Sequence, residues 1–168
     1  MDQITLQALA DFPRLLEAHF AQIPPEFRTW RPDSWDGVPS EPFSAIEQIC
    51  HVRDIEVDGY HQRIRRMREE LHPTLASVDG ERLAEVRQYA RADPTKVFAS
   101  IRAARTTTLA MITALTPQDL TRTGEFGSYG TLTLRSLIHY LCSHDQQHVA
   151  GLQWLLGKMT AVQGQPLD

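Results

Sequence analysis

Cysteine is scarce in this chain: there are two, Cys50 and Cys142, and no CxxC pair. Two thiols make no disulfide framework. Both fall in segments expected to be helical, where a cysteine usually packs as a small apolar residue. The other reading is a thiol facing a site, because Cys50 precedes His51 and Cys142 lies two before His144. No apolar run approaches the roughly 20 residues that span a bilayer, so no membrane role is expected. Met1 to Ala10 lacks the basic start and apolar core of a signal peptide, which makes the cytoplasm the expected location. The net charge of -4 supplies no basic field, which argues against nucleic-acid binding. No strand-like alternation, internal repeat or low-complexity segment is visible. What remains is an ordinary composition, 42% hydrophobic and 23% charged, over 168 residues. That length fits one domain covering residues 1–168, with enough chain to bury a core.

Helical spacing of apolar residues dominates. A first helix covers at least Phe12 to Ala21, and Pro13 implies either a start near Asp11 or a kinked helix from Ile4. A connection from Pro24 to Pro42 follows, with Trp30 and Trp35 expected to pin it to the core. The second helix is expected from Phe43 to Leu71, capped by Ser40 or Ser44. Its apolar stripe is Ile46, Ile49, Cys50, Val57, Tyr60, Ile64, Met67 and Leu71. Arg63, Arg65, Arg66 and Arg68 near its end suit the helix dipole and read as a solvated face. His72-Pro73 stops it. A short helix from Glu81 to Ala90 comes next. Asp93 as N-cap and Pro94 at the first position open a third long helix to Leu115. Its inward residues are Val97, Phe98, Ile101, Ala104, Thr108, Met111, Ile112 and Leu115. A glycine-rich loop, Gly124 to Gly130, leads to a last helix from Thr131 to Leu156, closed by Gly157. The expected fold is all-α: a four-helix bundle with long connections after helices one and two and a short extra helix before helix three.

The last helix carries the sharpest signal. Leu134, Leu137, Ile138 and Leu141, then Leu152, Leu155 and Leu156, form its apolar stripe. At about 100° per residue, His144, Asp145 and His148 fall inside that stripe. Burying three polar groups unpaired would cost roughly 1–3 kcal/mol each, so something must compensate them. His144 and His148 stand at i and i+4, a spacing that lets two imidazoles meet one metal ion. The segment is not HExxH, because Asp145 follows the first histidine. A third ligand must come from another helix. His139 points about 140° from the stripe, and His72 belongs to a loop. His51 looks flanking on helix two, and periodicity does not choose it over His19 or His61.

The stretches Ser44-Ala45-Ile46-Glu47-Gln48-Ile49-Cys50-His51-Val52-Arg53-Asp54-Ile55-Glu56 and Gly130 to Ile138, continuing through His144-Asp145-Gln146-Gln147-His148, resemble the second and last helices of the DinB-like (YfiT-like) metal-binding bundles. Trp30-Arg31-Pro32 is also similar. The resemblance implies His51, His144 and His148 as ligands of one divalent ion, zinc or nickel first and iron also admissible. It further implies a homodimer and, as the main reading, a metal-dependent thiol S-transferase, with a metal-dependent hydrolase as the alternative. On the first reading the partner is a small-molecule substrate together with a low-molecular-weight thiol. On the second, the base would be Glu47, Asp54 or Asp145, with Glu47 equally able to orient His51. A non-catalytic binding or sensor module is the third reading. The site's rim is expected near Arg53 and Asp54 and in the Gly124 to Gly130 loop.

Overall fold

Asp2 sets the start of the first helix, α1 (Gln3–Ala21), by accepting the Thr5 amide at 2.8 Å. The computed structural model describes residues 1–163. Of the two starts compatible with Pro13, the longer helix forms. Pro13 has no N–H to give the carbonyl four residues earlier, which belongs to Leu9. Arg105 Nη1 takes that carbonyl instead, at 2.8 Å. The proline therefore frees an acceptor for a buried cation.

Helix α2 (Ala45–Asp54) begins with a Ser44–Glu47 capping box, Ser44 N donating to Glu47 Oε2 at 2.8 Å. It continues through a π turn, Ile55–Tyr60, into α3 (His61–Glu69), forming one long rod. The rod is shorter at both ends than the expected Phe43 to Leu71. Val57 and Leu71, expected in the apolar stripe, are exposed at 40% and 96%. The wider π turn shifts the phase of the helix, so a stripe drawn through it at one period misplaces residues beyond it. Arg63, expected on the solvated face, is buried for the same reason.

Helix α4 (Gly80–Val86) is capped by Asp79 and followed by a 3-10 turn at Tyr89–Arg91, where one helix to Ala90 was expected. Asp93 and Pro94 open α5 (Pro94–Thr113) as anticipated, Asp93 accepting the Thr95 amide. Three short strands do form, contrary to expectation: β1 (Thr74–Leu75), β2 (Thr123–Phe126) and β3 (Thr131–Thr133). Strand β2 pairs parallel with β1 and antiparallel with β3, so the glycine-rich loop is a hairpin. Gly127 and Gly130 turn it with positive φ. Helix α6 (Leu134–Gln163) runs through Gly157 rather than stopping there, because Met159 still belongs to the core.

Helices α1 and α2 each pack between α5 and α6. One apolar cluster joins Phe12, Leu16, Ile49, Phe98, Ile101 and Leu152. A second joins Leu9, Ile64, Met67, Ile112, Leu137 and Leu141. A polar belt separates them, and every long helix contributes to it. Its centre is Arg105, which donates to Glu56 Oε1 at 2.8 Å and to Asp145 Oδ2 at 2.7 Å. All three side chains are buried. Thr108 donates to Glu56 as well, and the Arg105 guanidinium lies 4.9 Å from the Phe12 ring centre. Burial pushes Asp145 up to about 7 even with Arg105 beside it. Among the described residues no helix is long and apolar enough to cross a membrane.

Candidate metal centre

The polar break in α6 faces α2 at the upper edge of this belt. His144 and His148 lie one above the other, their Nε2 atoms 3.1 Å apart. His51 from α2 meets them, its Nε2 3.3 Å from that of His144. The fourth member is Glu41, from the connection before α2. Its carboxylate oxygens lie 3.5 Å from His51 Nε2 and 3.3 Å from His148 Nε2. One ligand atom from each of the four falls within 4.8 Å of the others. Tetrahedral coordination at 2.0–2.1 Å sets neighbouring ligand atoms about 3.3–3.4 Å apart, so this donor set fits one divalent ion.

The protonation states agree with that fit. Burial and the His51 imidazole push His144 down to about 3. Burial, His144 and His51 hold His148 well below the ordinary histidine value. Both are neutral at pH 7, the form that binds metal. Burial alone would raise the Glu41 carboxyl, but the His51 hydrogen bond and the neighbouring imidazoles outweigh it and hold it well below the usual range. Uncharged imidazole nitrogens this close present lone pairs to one another, an arrangement that a cation relieves.

Local structure aims each donor. Gln48 Oε1 accepts from His148 Nδ1, which leaves the Nε2 lone pair free to face the cluster. The Gln48 amide nitrogen donates to Ser40 Oγ at 2.8 Å and to the Glu41 carbonyl at 3.2 Å. One buried side chain thus ties α6 to the loop that carries Glu41. Gly151 leaves the room, since a Cβ there would collide with Ser40 Oγ. Arg31 holds the same loop by donating to the Pro42 carbonyl at 3.0 Å. Trp35 stacks on Trp154 at 5.8 Å, so the connection is pinned to α6 as its tryptophans suggested. His51 is wedged between the Phe43 ring, 5.1 Å away, and Gly80, where a Cβ would stand 2.6 Å from its Cε1. Among the described residues the Nδ1 atoms of His51 and His144 have no partner.

The other histidines lie elsewhere. His19 is near Gln153, His61 Nε2 is 2.9 Å from Thr108 Oγ1, His72 pairs with Glu125, and His139 is exposed beside Thr5. The three carboxylates expected as bases also lie outside the cluster. Glu47 is occupied by its cap and by Arg31 at 3.2 Å. Asp54 accepts from Tyr89 and pairs with Arg53 and Arg87. Asp145 is held by Arg105. Arg53 and Asp54 therefore do not form the rim. The cavity beside the cluster, about 220 Å³, is lined instead by His51, His144, Glu41, Tyr60, Arg63 and, from the hairpin, Phe126 and Tyr129. Cys50 is sealed in the core and burial pushes its thiol up to about 12. Burial also raises the Cys142 thiol, which packs against the lower cluster. Neither thiol reaches the site.

The model of the DinB superfamily matches residues 8–151. This chain belongs to the DinB superfamily. Among solved structures, YfiT from Bacillus subtilis is similar in fold. It shares 18% identity over 95% of this chain and 90% of that one, with a TM-score of 0.81. No curated protein matches the sequence. Membership accounts for the bundle and for a donor cluster of this type between the second and last long helices. Glu41 was missed because it lies in an aperiodic connection. The one local signal was the run Ser40-Glu41-Pro42, an extended pre-proline segment directly before the Ser44 cap.

Proposed function

We propose that this chain is a metal-dependent hydrolase whose ion is held by His51, His144 and His148, with Glu41 as the mobile carboxylate of the centre. The observation that carries the reading is access: Glu41, His51 and His144 of the donor cluster line a cavity, with His148 buried behind them. The neighbour in fold, YfiT, is described as a probable metal-dependent hydrolase with an unusual four-helix bundle topology, which agrees with this reading. A divalent ion held by neutral imidazoles lowers the pKa of water and polarises a carbonyl or phosphoryl oxygen. Glu41 is half-exposed, sits on a loop and remains ionised, so its Oε can receive the proton of an attacking water and pass it to a leaving group. His51, fixed by Phe43 and Gly80, and His148, fixed by Gln48, keep the donor geometry while that carboxylate moves. A donor set of three imidazole nitrogens suits zinc or nickel, and iron also. Thiol transfer does not need a base in Glu41's place, and this chain's own thiols lie outside the site, so hydrolysis uses more of what is there.

The zinc-loaded and nickel-loaded proteins should hydrolyse members of a panel of activated esters and amides, starting with p-nitrophenyl acetate. Turnover should vanish with a chelator and return with the ion. Glu41→Gln should retain the metal and lower kcat about 100-fold. Undiminished turnover in that variant would remove Glu41 as the base. No turnover of any substrate by protein with full metal content would sink the hydrolase reading. Tight binding of a low-molecular-weight thiol in that case would bring thiol transfer forward.

Gln48 has its own test. Gln48→Leu removes the acceptor at His148 Nδ1 and should weaken zinc binding about 10–100-fold. Gln48→Glu, which restores an acceptor, should recover most of it. Competition against a chromophoric chelator measures both, and an unchanged affinity in Gln48→Leu would show that His148 needs no such partner.

A further inference from the structure

Among the described residues Arg63 stands apart from every other buried charge. It is 5% exposed, yet among the described residues it has no carboxylate partner. Arg105, the comparable buried arginine, has two. Arg63 donates Nε and Nη2 to a single acceptor, the Ala76 carbonyl, at 3.1 Å each. Among the described residues that leaves Nη1 and the second N–H of Nη2 without acceptors, forming the forked end of the guanidinium. The group lies 4.3 Å from the Phe126 ring centre and 5.1 Å from that of Tyr60. Gly59, in the π turn, makes the space, since a Cβ there would lie 3.0 Å from Nη1. This side chain lines the same cavity as His51, His144 and Glu41, and the Tyr60 ring centre is 6.3 Å from that of His144.

A buried cation without a counter-ion costs free energy unless a ligand supplies the charge. We propose that Arg63 anchors a carboxylate of the substrate, end-on through Nη1 and Nη2, and that this centre acts on small carboxylates whose apolar or aromatic body lies along Phe43, Tyr60, Phe126 and Tyr129. The paired N–H groups match the two oxygens of a carboxylate. The cavity, about 220 Å³, admits a body of one aromatic ring. Three carboxylates share it. Glu41 faces the histidines, Asp79 caps α4 by accepting the Arg82 amide at 3.0 Å, and Glu81 is exposed at the rim. None of them reaches Arg63, and burial favours the closer, better desolvated partner. The anchor rests on the metal-dependent reading for what happens to the bound molecule, but not for the binding itself.

The test uses benzoate and its neutral counterpart benzamide, titrated into the full chain with and without zinc. Benzoate should bind at least about tenfold more tightly than benzamide and should shift the Arg63 Nε–Hε resonance of ¹⁵N-labelled wild-type protein. Arg63→Met should weaken benzoate about tenfold or more and leave zinc content unchanged. Arg63→Lys should weaken it less. If Arg63→Met does not fold, the wild-type resonance decides. Absence of benzoate binding, or saturation without movement of that resonance, overturns the proposal. So does equal binding by folded Arg63→Met. If no zinc binds while benzoate still moves the Arg63 signal, the anchor stands and the metal centre fails. If zinc binds and Arg63 is silent, the reverse holds.

Discussion

Replacing His148 with alanine is expected to lower bound zinc from about one ion per chain to under about a tenth, because a site with one imidazole fewer loses most of its affinity. His148 is the most deeply placed donor, wholly buried and held by Gln48. Among the described residues the cluster has only His51, His144 and Glu41 besides it, so no spare imidazole stands by to replace it. Elemental analysis of purified protein is the measurement. His144→Ala, at the more open edge of the cavity, should give the same loss with less disturbance of packing. Helix content by circular dichroism separates loss of ligand from loss of fold. Metal content that survives both changes would remove the assignment of these histidines.

The second large effect belongs to the polar belt. Arg105→Met should destabilise the bundle by about 3–5 kcal/mol, since it leaves Glu56 and Asp145 buried without their cation. That is a large share of the roughly 5–15 kcal/mol that holds a domain of this kind together. The same change also leaves the Leu9 carbonyl, opened by Pro13, without a donor. Urea unfolding at pH 7 measures the loss. Replacing the three charged residues together, with Glu56→Gln, Arg105→Met and Asp145→Asn, should recover much of it, because no uncompensated charge remains. A deficit under about 1 kcal/mol for Arg105→Met alone would show that water reaches the belt and screens it.

The belt and the donor cluster explain each other's position. Both interrupt the core at the same level of α6, where Asp145 turns to Arg105 and its neighbours His144 and His148 turn to α2. The belt fixes the height of α5 and α6 relative to α2, through contacts that only one register satisfies. The donors then meet without further adjustment. The π turn serves both sides, placing Glu56 in the belt and Tyr60, with the space over Gly59, beside the cavity.

Local chemistry was enough for the helices. Apolar spacing, a serine cap at Ser44 and Asp93-Pro94 specify where backbone groups find partners within a few residues, and the long helices form there with some of their ends displaced. The interrupted stripe of α6 was equally legible, because three polar residues on a buried face must be answered by something. Other features depended on groups far away in the chain. Glu41 carries no periodic signal; it reaches the site because Gln48, Arg31 and the Trp35–Trp154 stack fold its loop onto α6. His51 looks flanking by periodicity because no single stripe describes a rod that is covered on both faces, by α5 and α6 and also by α4, and that changes phase at its π turn. Arg63 sits in a run that reads as solvent-facing and Arg105 carries no signal of its own, and their burial depends on Ala76, Phe126, Glu56 and Asp145. A side chain's own spacing shows which way it points from its helix. Whether it is buried, paired or left without a counter-ion beside a cavity depends on partners brought there by the packing of the whole bundle.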